Sequence, residues 1–400
     1  MKAFLSMMAA VVATVSLAAD LPSQKDISLL AEVTRAQERG LDWLRKQQKE
    51  DGSWNQHPAI TGLAVTSFAR AGRALTAEEQ AALAGGVKYI LSNVKPNGAI
   101  YGGGDTDKYP NYSTAICAMA LFATGDKAHH DIVRRARQFL LGSQFDERVK
   151  VKEVGADGKE AEVAVEENHA SYGGIGYGRR ERPDLSNMGW ALEALKVTES
   201  LETMSSDSPY AGSRLHWEKA VKFLSRCQNL PGQNDQTWVR NTTGADLGGF
   251  IYMPGFSFAN EGQPVDEKTP LRSYASMSYA GLKSFIYADV KKEDPRVVAV
   301  INWLKRNYTL DENPGLGQQG LYYYYNMFAK SLTALGEDTF TDIAGKTHDW
   351  RYELLNKLVT LQKADGYWQN DNNRWWENDP VLVTCYSLLS IEILQKRQYP

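Results

Sequence analysis

A paired pattern recurs along the whole chain and limits the possible folds more than any other feature. In its fullest copy, a helix-forming stretch at 39–48 ends in the turn Gly52-Ser53-Trp54, and a helix rich in small residues starts near Thr61. The same order returns near the C-terminus, at 361–368 and 383–389. Such a unit cannot bury its apolar face without neighbours, so the repetition predicts a repeat architecture.

Two kinds of predicted helix alternate. The first kind carries an aromatic residue that is followed directly by Leu or Ile and, four residues later, by Gln. Its apolar residues recur at three- and four-residue spacing and form one stripe. Its copies lie at 39–48, 135–144 and 219–228, with weaker ones near 89–90, 303–304 and 358–359. The second is rich in Ala, Ser, Gly and Tyr, and small residues let helices approach closely. Its copies lie at 62–70, 112–123, 185–195, 274–286, 322–335 and 381–394.

This alternation predicts an all-α fold, in which six outer and six inner helices close as an (α/α)6 toroid over residues 20–400. The Gln that ends an outer stretch is expected to bond backbone groups at the helix end. Two segments break the pattern. Period-two alternation over 149–166, around an Asp-Gly pair, predicts a small β-hairpin. The loop at 229–269 is long and rich in Gly, Pro and Asn, and long ordered loops often carry function.

Composition excludes several functions. A net charge of −3 with 43% hydrophobic residues describes a globular chain and supplies no basic surface, so no nucleic-acid partner is expected. Cys117, Cys227 and Cys385 are far apart, lie in apolar helical patterns and have no metal-ligand spacing. The sequence therefore predicts buried thiols, no metal site and no cofactor, and it leaves the oligomeric state open.

The first residues are typical of a secretory signal. Lys2 precedes an apolar run from Ala3 to Leu17, and small residues follow before Asp20. This order predicts a signal peptide at 1–19 and a secreted or periplasmic protein. The alternative is an N-terminal helix of a cytosolic protein. No later run approaches the roughly 20 apolar residues that a membrane span needs, so none is expected after signal cleavage.

The Gln…Gly-x-Trp turns and the period of the helix pairs resemble the squalene/oxidosqualene cyclase and protein prenyltransferase β-subunit repeat proteins. The segments 248–252 and 273–284 resemble an exported bacterial branch of that superfamily. The resemblance runs over 31–395. It implies a terpenoid-cyclase-like toroid with a ligand in its central cavity, for which an isoprenoid is the candidate.

The resemblance does not carry the families' chemistry with it. Squalene–hopene-type cyclases protonate their substrate with an Asp-x-Asp-Asp motif, and the matching segment here is Asp184-Leu185-Ser186-Asn187. Ser186 stands where the proton donor should be, and a serine hydroxyl is not a strong acid. The prenyltransferase zinc ligands are also replaced, with Val383 at the His position and Leu321-Tyr322-Tyr323-Tyr324 in place of Asp-x-Cys. The resemblance therefore implies neither the standard acid nor a zinc site.

The loop from 169 to 184 is the richest in reactive side chains. Its catalytic candidates are His169, Tyr177, Arg179 and Asp184, and its ligand-binding candidates are Tyr172 and Arg180. Arg with Tyr or His can neutralise and deprotonate an acidic sugar, as polysaccharide lyases require, although the link to lyases is an analogy of fold. In the alternative interpretation, the glycines allow a tight turn, the arginines are solvated and Asp184 caps a helix.

Further ligand-binding candidates are aromatic and polar residues near the starts of inner helices. They are Asn187, Trp190, Tyr252, Tyr274, Tyr323, Tyr324, Trp376 and Asp379. Aromatic walls stabilise cations or stack on sugars. A packed inner ring explains Tyr323 and Tyr324 equally well, and Asp379 before Pro380 also fits a simple helix cap.

Three functions remain open from the sequence. The first is a protein that binds a small molecule, lipid or glycan in the central cavity. The second is a divergent enzyme, either a terpene cyclase or isomerase, or a polysaccharide lyase on acidic glycans. The third is a protein-interaction scaffold. A deep aromatic cavity would favour a lipid, an open Arg-rich cleft an acidic glycan, and a filled centre the scaffold.

Overall fold

The computed structural model describes residues 24–102, 109–154, 158–178, 181–202, 215–262 and 268–396. These parts of the chain are mostly helical, which confirms the all-α prediction. The predicted signal peptide at 1–19 lies outside the described residues. Within them, no helix has both the length and the apolar content needed to cross a membrane.

Twelve α-helices alternate in two series in the described chain. The odd-numbered helices are α1 (Gln24–Lys46), α3 (Ala77–Ser92), α5 (His130–Leu141), α7 (Trp217–Arg226), α9 (Pro295–Arg306) and α11 (Trp350–Leu361). The even-numbered helices are α2 (Pro58–Ala69), α4 (Pro110–Ala123), α6 (Leu185–Val197), α8 (Ala275–Tyr287), α10 (Leu321–Leu335) and α12 (Pro380–Lys396). Each predicted inner stretch falls on an even-numbered helix, with ends that differ by a few residues.

The even-numbered helices contact one another in a closed cycle. Helix α2 packs on α4, α4 on α6, α6 on α8, α8 on α10, α10 on α12, and α12 returns to α2. These helices are buried on nearly all sides, because their Ala, Ser and Gly residues allow close approach. The odd-numbered helices bury one stripe, as α5 does with Val133, Ala136 and Leu140. They therefore lie on the outside, and α1 contacts both α3 and α11.

Two antiparallel hairpins interrupt the helices. Strand β1 (Lys150–Val154) pairs with β2 (Glu160–Ala164), which confirms the predicted hairpin. A shorter pair, β3 (Phe340–Thr341) with β4 (Thr347–His348), lies between α10 and α11 and was not predicted. The cysteines at 117, 227 and 385 are free and buried, as expected.

Four glutamines join successive odd-numbered helices through their side-chain amides. Each donates from Nε2 to the carbonyl of a glycine in its own turn and to a carbonyl at the next odd-numbered helix. The bonds run from Gln48 to Gly52 and Ala82, from Gln144 to Gly173 and His216, from Gln228 to Gly248 and Arg296, and from Gln362 to Gly366 and Ala36. The expected bonding of these side chains to backbone is thus confirmed, and the last bond joins α11 to α1.

The glycines in these turns allow the close approach. Gly173 has a φ of +85°, and a Cβ atom there would lie 1.8 Å from the carbonyl oxygen of Lys219 in α7. Only a residue without a side chain fits both the left-handed backbone and this contact.

Comparing two glycine variants distinguishes the effect of the steric contact at Gly173 from the effect of backbone strain. We expect Gly173→Ala to lower the free energy of unfolding by at least about 2 kcal/mol more than Gly125→Ala. Gly125 also has a positive φ, of +72°, but a Cβ there would meet nothing within 4 Å. Urea denaturation of the two variants measures the difference, and equal losses would contradict the close-approach argument.

Candidate functional site

The N-terminal turns of the six even-numbered helices surround a cavity of about 260 Å³. Most of its wall is aromatic: Tyr109, Tyr112, Tyr177, Tyr252, Tyr274, Tyr323, Tyr386, Phe258, Trp375 and Trp376. The polar remainder includes His57, Ser186, Ser276 and Glu377. No Lys or Arg of the described chain lines this cavity. The arrangement suits an apolar ligand with a few polar contacts.

The mouth of the cavity is formed by irregular segments. In the long loop, the rings of Tyr252 and Phe258 lie 4.6 Å apart, and Phe258 meets the ring of Trp375 edge-on at 5.2 Å. Trp375 and Trp376 both have left-handed backbones, with φ of 52° and 64°. Such conformations cost of order 1–3 kcal/mol each in non-glycine residues and cluster at binding sites. The two residues are 39% and 54% exposed, so they form the rim.

A second strained pair faces this rim. Asn55 and Gln56, just before α2, have φ of 54° and 51°. The Asn55 amide donates to Asp379 Oδ2 at 2.5 Å, and His57 meets the ring of Trp376 edge-on at 5.9 Å. His57 caps α2, since its Nδ1 accepts from a backbone amide, and burial lowers its pKa to about 4. The imidazole is therefore neutral near pH 7.

Asp184 is the cap of α6. Its Oδ1 accepts from the backbone amide of Asn187 at 2.9 Å and its Oδ2 from the Asn187 side chain at 2.7 Å. The side chain is 1% exposed, and burial raises its pKa to about 6. Ser186, two residues on, does line the cavity, with its Oγ 3.4 Å from the hydroxyl of Tyr323. The helix-cap interpretation of Asp184 is thus confirmed, and the wall at this point carries a hydroxyl.

Glu377 is a cavity carboxyl that was not among the sequence candidates. Its Oε1 accepts from the Tyr323 amide at 2.8 Å, and its Oε2 accepts from the Asn370 side chain at 2.7 Å and the Tyr322 amide at 3.2 Å. It therefore caps α10, whose own cap residue, Gly320, has no side chain. Burial raises the pKa of Glu377 to about 7. Its neighbour Trp376 is a sequence candidate, but no local pattern singles out this carboxyl.

Of the described residues in the loop at 169–184, only Tyr177 joins Ser186 in the cavity wall. The ring of Tyr177 lies 5.1 Å from that of Tyr109, and burial raises its pKa well above the usual range. His169 is held at the β-hairpin, where its Nε2 lies 2.8 Å from Glu153 Oε1. Tyr172 donates to Glu147 at 2.8 Å and is also outside the wall. Arg179 and Arg180 lie outside the described residues, so the predicted cluster is not brought together in the part that is described.

The remaining candidates divide between wall and core. Tyr252, Tyr274, Tyr323 and Trp376 line the cavity. Tyr324 points away, since its hydroxyl donates to the carbonyl of Thr309 at 2.6 Å. Asn187 is buried against Asp184, and Asp379 caps the first turn of α12 through the amide of Val381. Trp190 lies deeper along α6, beside a layer of buried charges.

That layer consists of Glu193, Lys283 and Lys330, from three successive even-numbered helices. Glu193 pairs with Lys330 at 2.7 Å and also with Lys283, and all three side chains are at most 3% exposed. Burial alone would raise the pKa of Glu193, but the two ammonium groups lower it to about 2. Burial lowers the pKa of Lys330 to about 8, and its Nζ lies 4.2 Å from the ring centroid of Trp190. The charged layer closes the centre below the cavity.

No family model matches this sequence, and no curated protein matches it. Among solved structures, the chain is similar to a variant of the type II terpene cyclase MstE from Scytonema in complex with geranylgeranyl dihydroxybenzoate, described as its substrate. The identity is 11%, the match covers 93% of this chain and 99% of that one, and the TM-score is 0.50. The ligand-free MstE structure matches at 11% identity over 92% and 99%, with a TM-score of 0.49. The first likeness shows a terpene-cyclase-like fold.

The raised pKa of Glu377 predicts a pH dependence of stability. The folded protein binds this proton more tightly than the unfolded chain does, because the pKa rises from 4.5 to about 7. The free energy of unfolding should therefore fall as pH rises from 5 to 8, by about 2 to 3 kcal/mol from this group. In Glu377→Gln, the free energy of unfolding should fall less over this pH range than in the wild type. In Glu50→Gln, which changes an exposed residue, it should fall as much as in the wild type. Denaturation at several pH values tests this, and identical slopes for Glu377→Gln and the wild type would exclude the effect.

Proposed function

We propose that this chain is an exported (α/α)6 toroid of the terpenoid-cyclase and prenyltransferase repeat type that binds an isoprenoid in its central cavity. The observation that carries the proposal is the cavity wall, which is aromatic and, in the described chain, contains no Lys or Arg. Aromatic side chains offer large apolar contact areas to a hydrocarbon chain. Export rests on the signal-like N-terminus alone.

The toroid part of the proposal is supported by the packing order. The even-numbered helices contact one another in a closed cycle, and all six contribute their first turns to one cavity. The fold is similar to that of MstE, for which there is a structure in complex with geranylgeranyl dihydroxybenzoate. At 11% identity this similarity concerns the fold, and it supports an isoprenoid ligand only together with the aromatic wall.

Binding is favoured over cyclisation by the polar groups that reach the cavity. The position matching the cyclase acid is Ser186, and the nearby Asp184 is 1% exposed and engaged as a cap. Protonation of an alkene needs a strong acid, and a carboxyl with a pKa of about 7, such as Glu377, is a weak one.

An enzyme is the second candidate, and Glu377 is the observation that favours it. A carboxyl whose pKa lies near 7 can both give and take a proton, and such groups are concentrated at active sites. Its place in the wall suits acid–base chemistry on an activated isoprenoid rather than on a plain alkene. The lyase has less support, because the described wall contains no Arg and Tyr177 resists ionisation. The scaffold has less support than the binder because the centre holds a cavity.

Mass spectrometry of molecules released from the purified protein on denaturation tests the proposal directly. A stoichiometric isoprenoid would support it, and an acidic oligosaccharide would overturn it in favour of the lyase. If nothing is released, titration with geranylgeraniol decides, because Trp375 and Trp376 line the cavity and should report occupancy by fluorescence.

Blocking the cavity should remove binding. We expect Ser186→Phe to weaken geranylgeraniol binding at least about tenfold, since the ring occupies space in the cavity, while Ser186→Thr, which keeps the hydroxyl, stays within about twofold of the wild type. Tryptophan fluorescence measures both affinities, and thermal melting checks that the variants are folded. Equal binding by the two variants would place the ligand elsewhere.

A further inference from the structure

Hydroxyl groups meet in the inner part of the cavity wall. Tyr386 lies one helical turn further into α12 than the wall residue Leu382, and no other described wall residue lies so far into its helix. Its hydroxyl lies 3.3 Å from that of Tyr112, and its ring is 6.0 Å from that of Tyr323. Tyr323 in turn lies 3.4 Å from Ser186 Oγ. We call Tyr112, Ser186, Tyr323 and Tyr386 the hydroxyl floor.

The hydroxyl floor has hydrogen-bonding capacity to spare. Each hydroxyl carries one donor and two acceptor sites. The two contacts within the floor, at 3.3 and 3.4 Å, are long and use one donor each. These contacts therefore leave two of the four O–H donors unused. Three of the four side chains are only partly buried. An oxygen atom on a ligand can accept these donors without displacing a protein contact.

The floor is separated from the buried charges below it. Trp190 meets the ring of Tyr112 edge-on at 6.0 Å and also contacts Lys330 of the charged layer. The N-terminal ends of the six even-numbered helices surround the cavity and add partial positive charge to its wall. A ligand oxygen at the floor is therefore held by neutral hydroxyl donors and by these helix ends.

The opposite end of the cavity is apolar. Phe258 and the rim residues Trp375 and Trp376 lie at the mouth, in short segments outside the even-numbered helices, whereas Tyr386 lies in the second turn of α12. A ligand with one oxygen-bearing end and one hydrocarbon end thus meets matching chemistry in one orientation only.

We propose that the ligand is an isoprenoid alcohol or carboxylic acid that binds head-first, with its oxygen on the hydroxyl floor and its chain directed toward Trp375 and Trp376. This inference rests on the proposed isoprenoid-binding function and adds the head-group class and the orientation. Alcohol and acid share the accepting oxygen that the floor recognises.

Three probes with the same 20-carbon skeleton test the inference: geranylgeraniol, geranylgeranoic acid and the corresponding hydrocarbon. The wild-type protein should bind the alcohol or the acid about tenfold more tightly than the hydrocarbon, as expected for one or two hydrogen bonds. Which oxygenated probe binds more tightly identifies the head group. Equal affinity for the hydrocarbon overturns the inference while the proposed function stands. Failure of all three probes to bind overturns both.

Tyrosine-to-phenylalanine variants locate the head group. Tyr323→Phe with Tyr386→Phe removes two floor hydroxyls but keeps the rings, so the preference for the oxygenated probe should fall to within about twofold while hydrocarbon binding is unchanged. Tyr109→Phe, in the same wall but outside the floor, should keep the tenfold preference. Loss of the preference in Tyr109→Phe alone would place the head group at the rim and overturn the orientation. If the double variant does not fold, each single variant should lose part of the preference.

Discussion

The side-chain amide of a glutamine, shared between a turn and the next outer helix, is the contact on which the arrangement depends. Gln228, for example, donates to Gly248 and to Arg296, so one side chain satisfies carbonyls from two separate segments. Because buried carbonyls without partners are costly, each bond holds the distance between neighbouring helices. The bond from Gln362 to Ala36 spans 326 residues and joins the last outer helix to the first.

That spacing positions the cavity. When the outer helices keep their order, each even-numbered helix packs between two neighbours of its own series, and their first turns meet around one space. The same ring brings Glu193, Lys283 and Lys330 together below it. Buried ion pairs contribute little net stability, but removal of one partner is costly, so this layer favours one register among α6, α8 and α10. The result is a closed end beneath an aromatic wall.

The sequence predicted the helices and turns well because their signals are local. Apolar stripes, small-residue helices, the Asp-Gly hairpin and the role of Gln in the turns all depend on residues a few positions apart. Several candidate residues were also well placed, since Tyr177, Tyr252, Tyr274, Tyr323 and Trp376 do line the cavity. The cap at Asp184 follows from its position directly before an apolar helix. His169 and Tyr172 were grouped with them only because they are near in sequence, and their contacts with Glu153 of β1 and with Glu147 hold them elsewhere.

By itself, the sequence determined the repeat, the two kinds of helix and the absence of the cyclase acid at Ser186, because each of these is written in adjacent residues. Tertiary structure alone decided that Glu377 caps α10 by accepting from the amide of Tyr323, 54 residues away in sequence. It also decided that Tyr112 meets Tyr386, which is 274 residues away. The physical reason is that a side chain's neighbours across the cavity are set by ring closure. Periodicity predicts which face of a helix is buried, but it does not predict which hydroxyls and carboxyls from distant helices share that buried space.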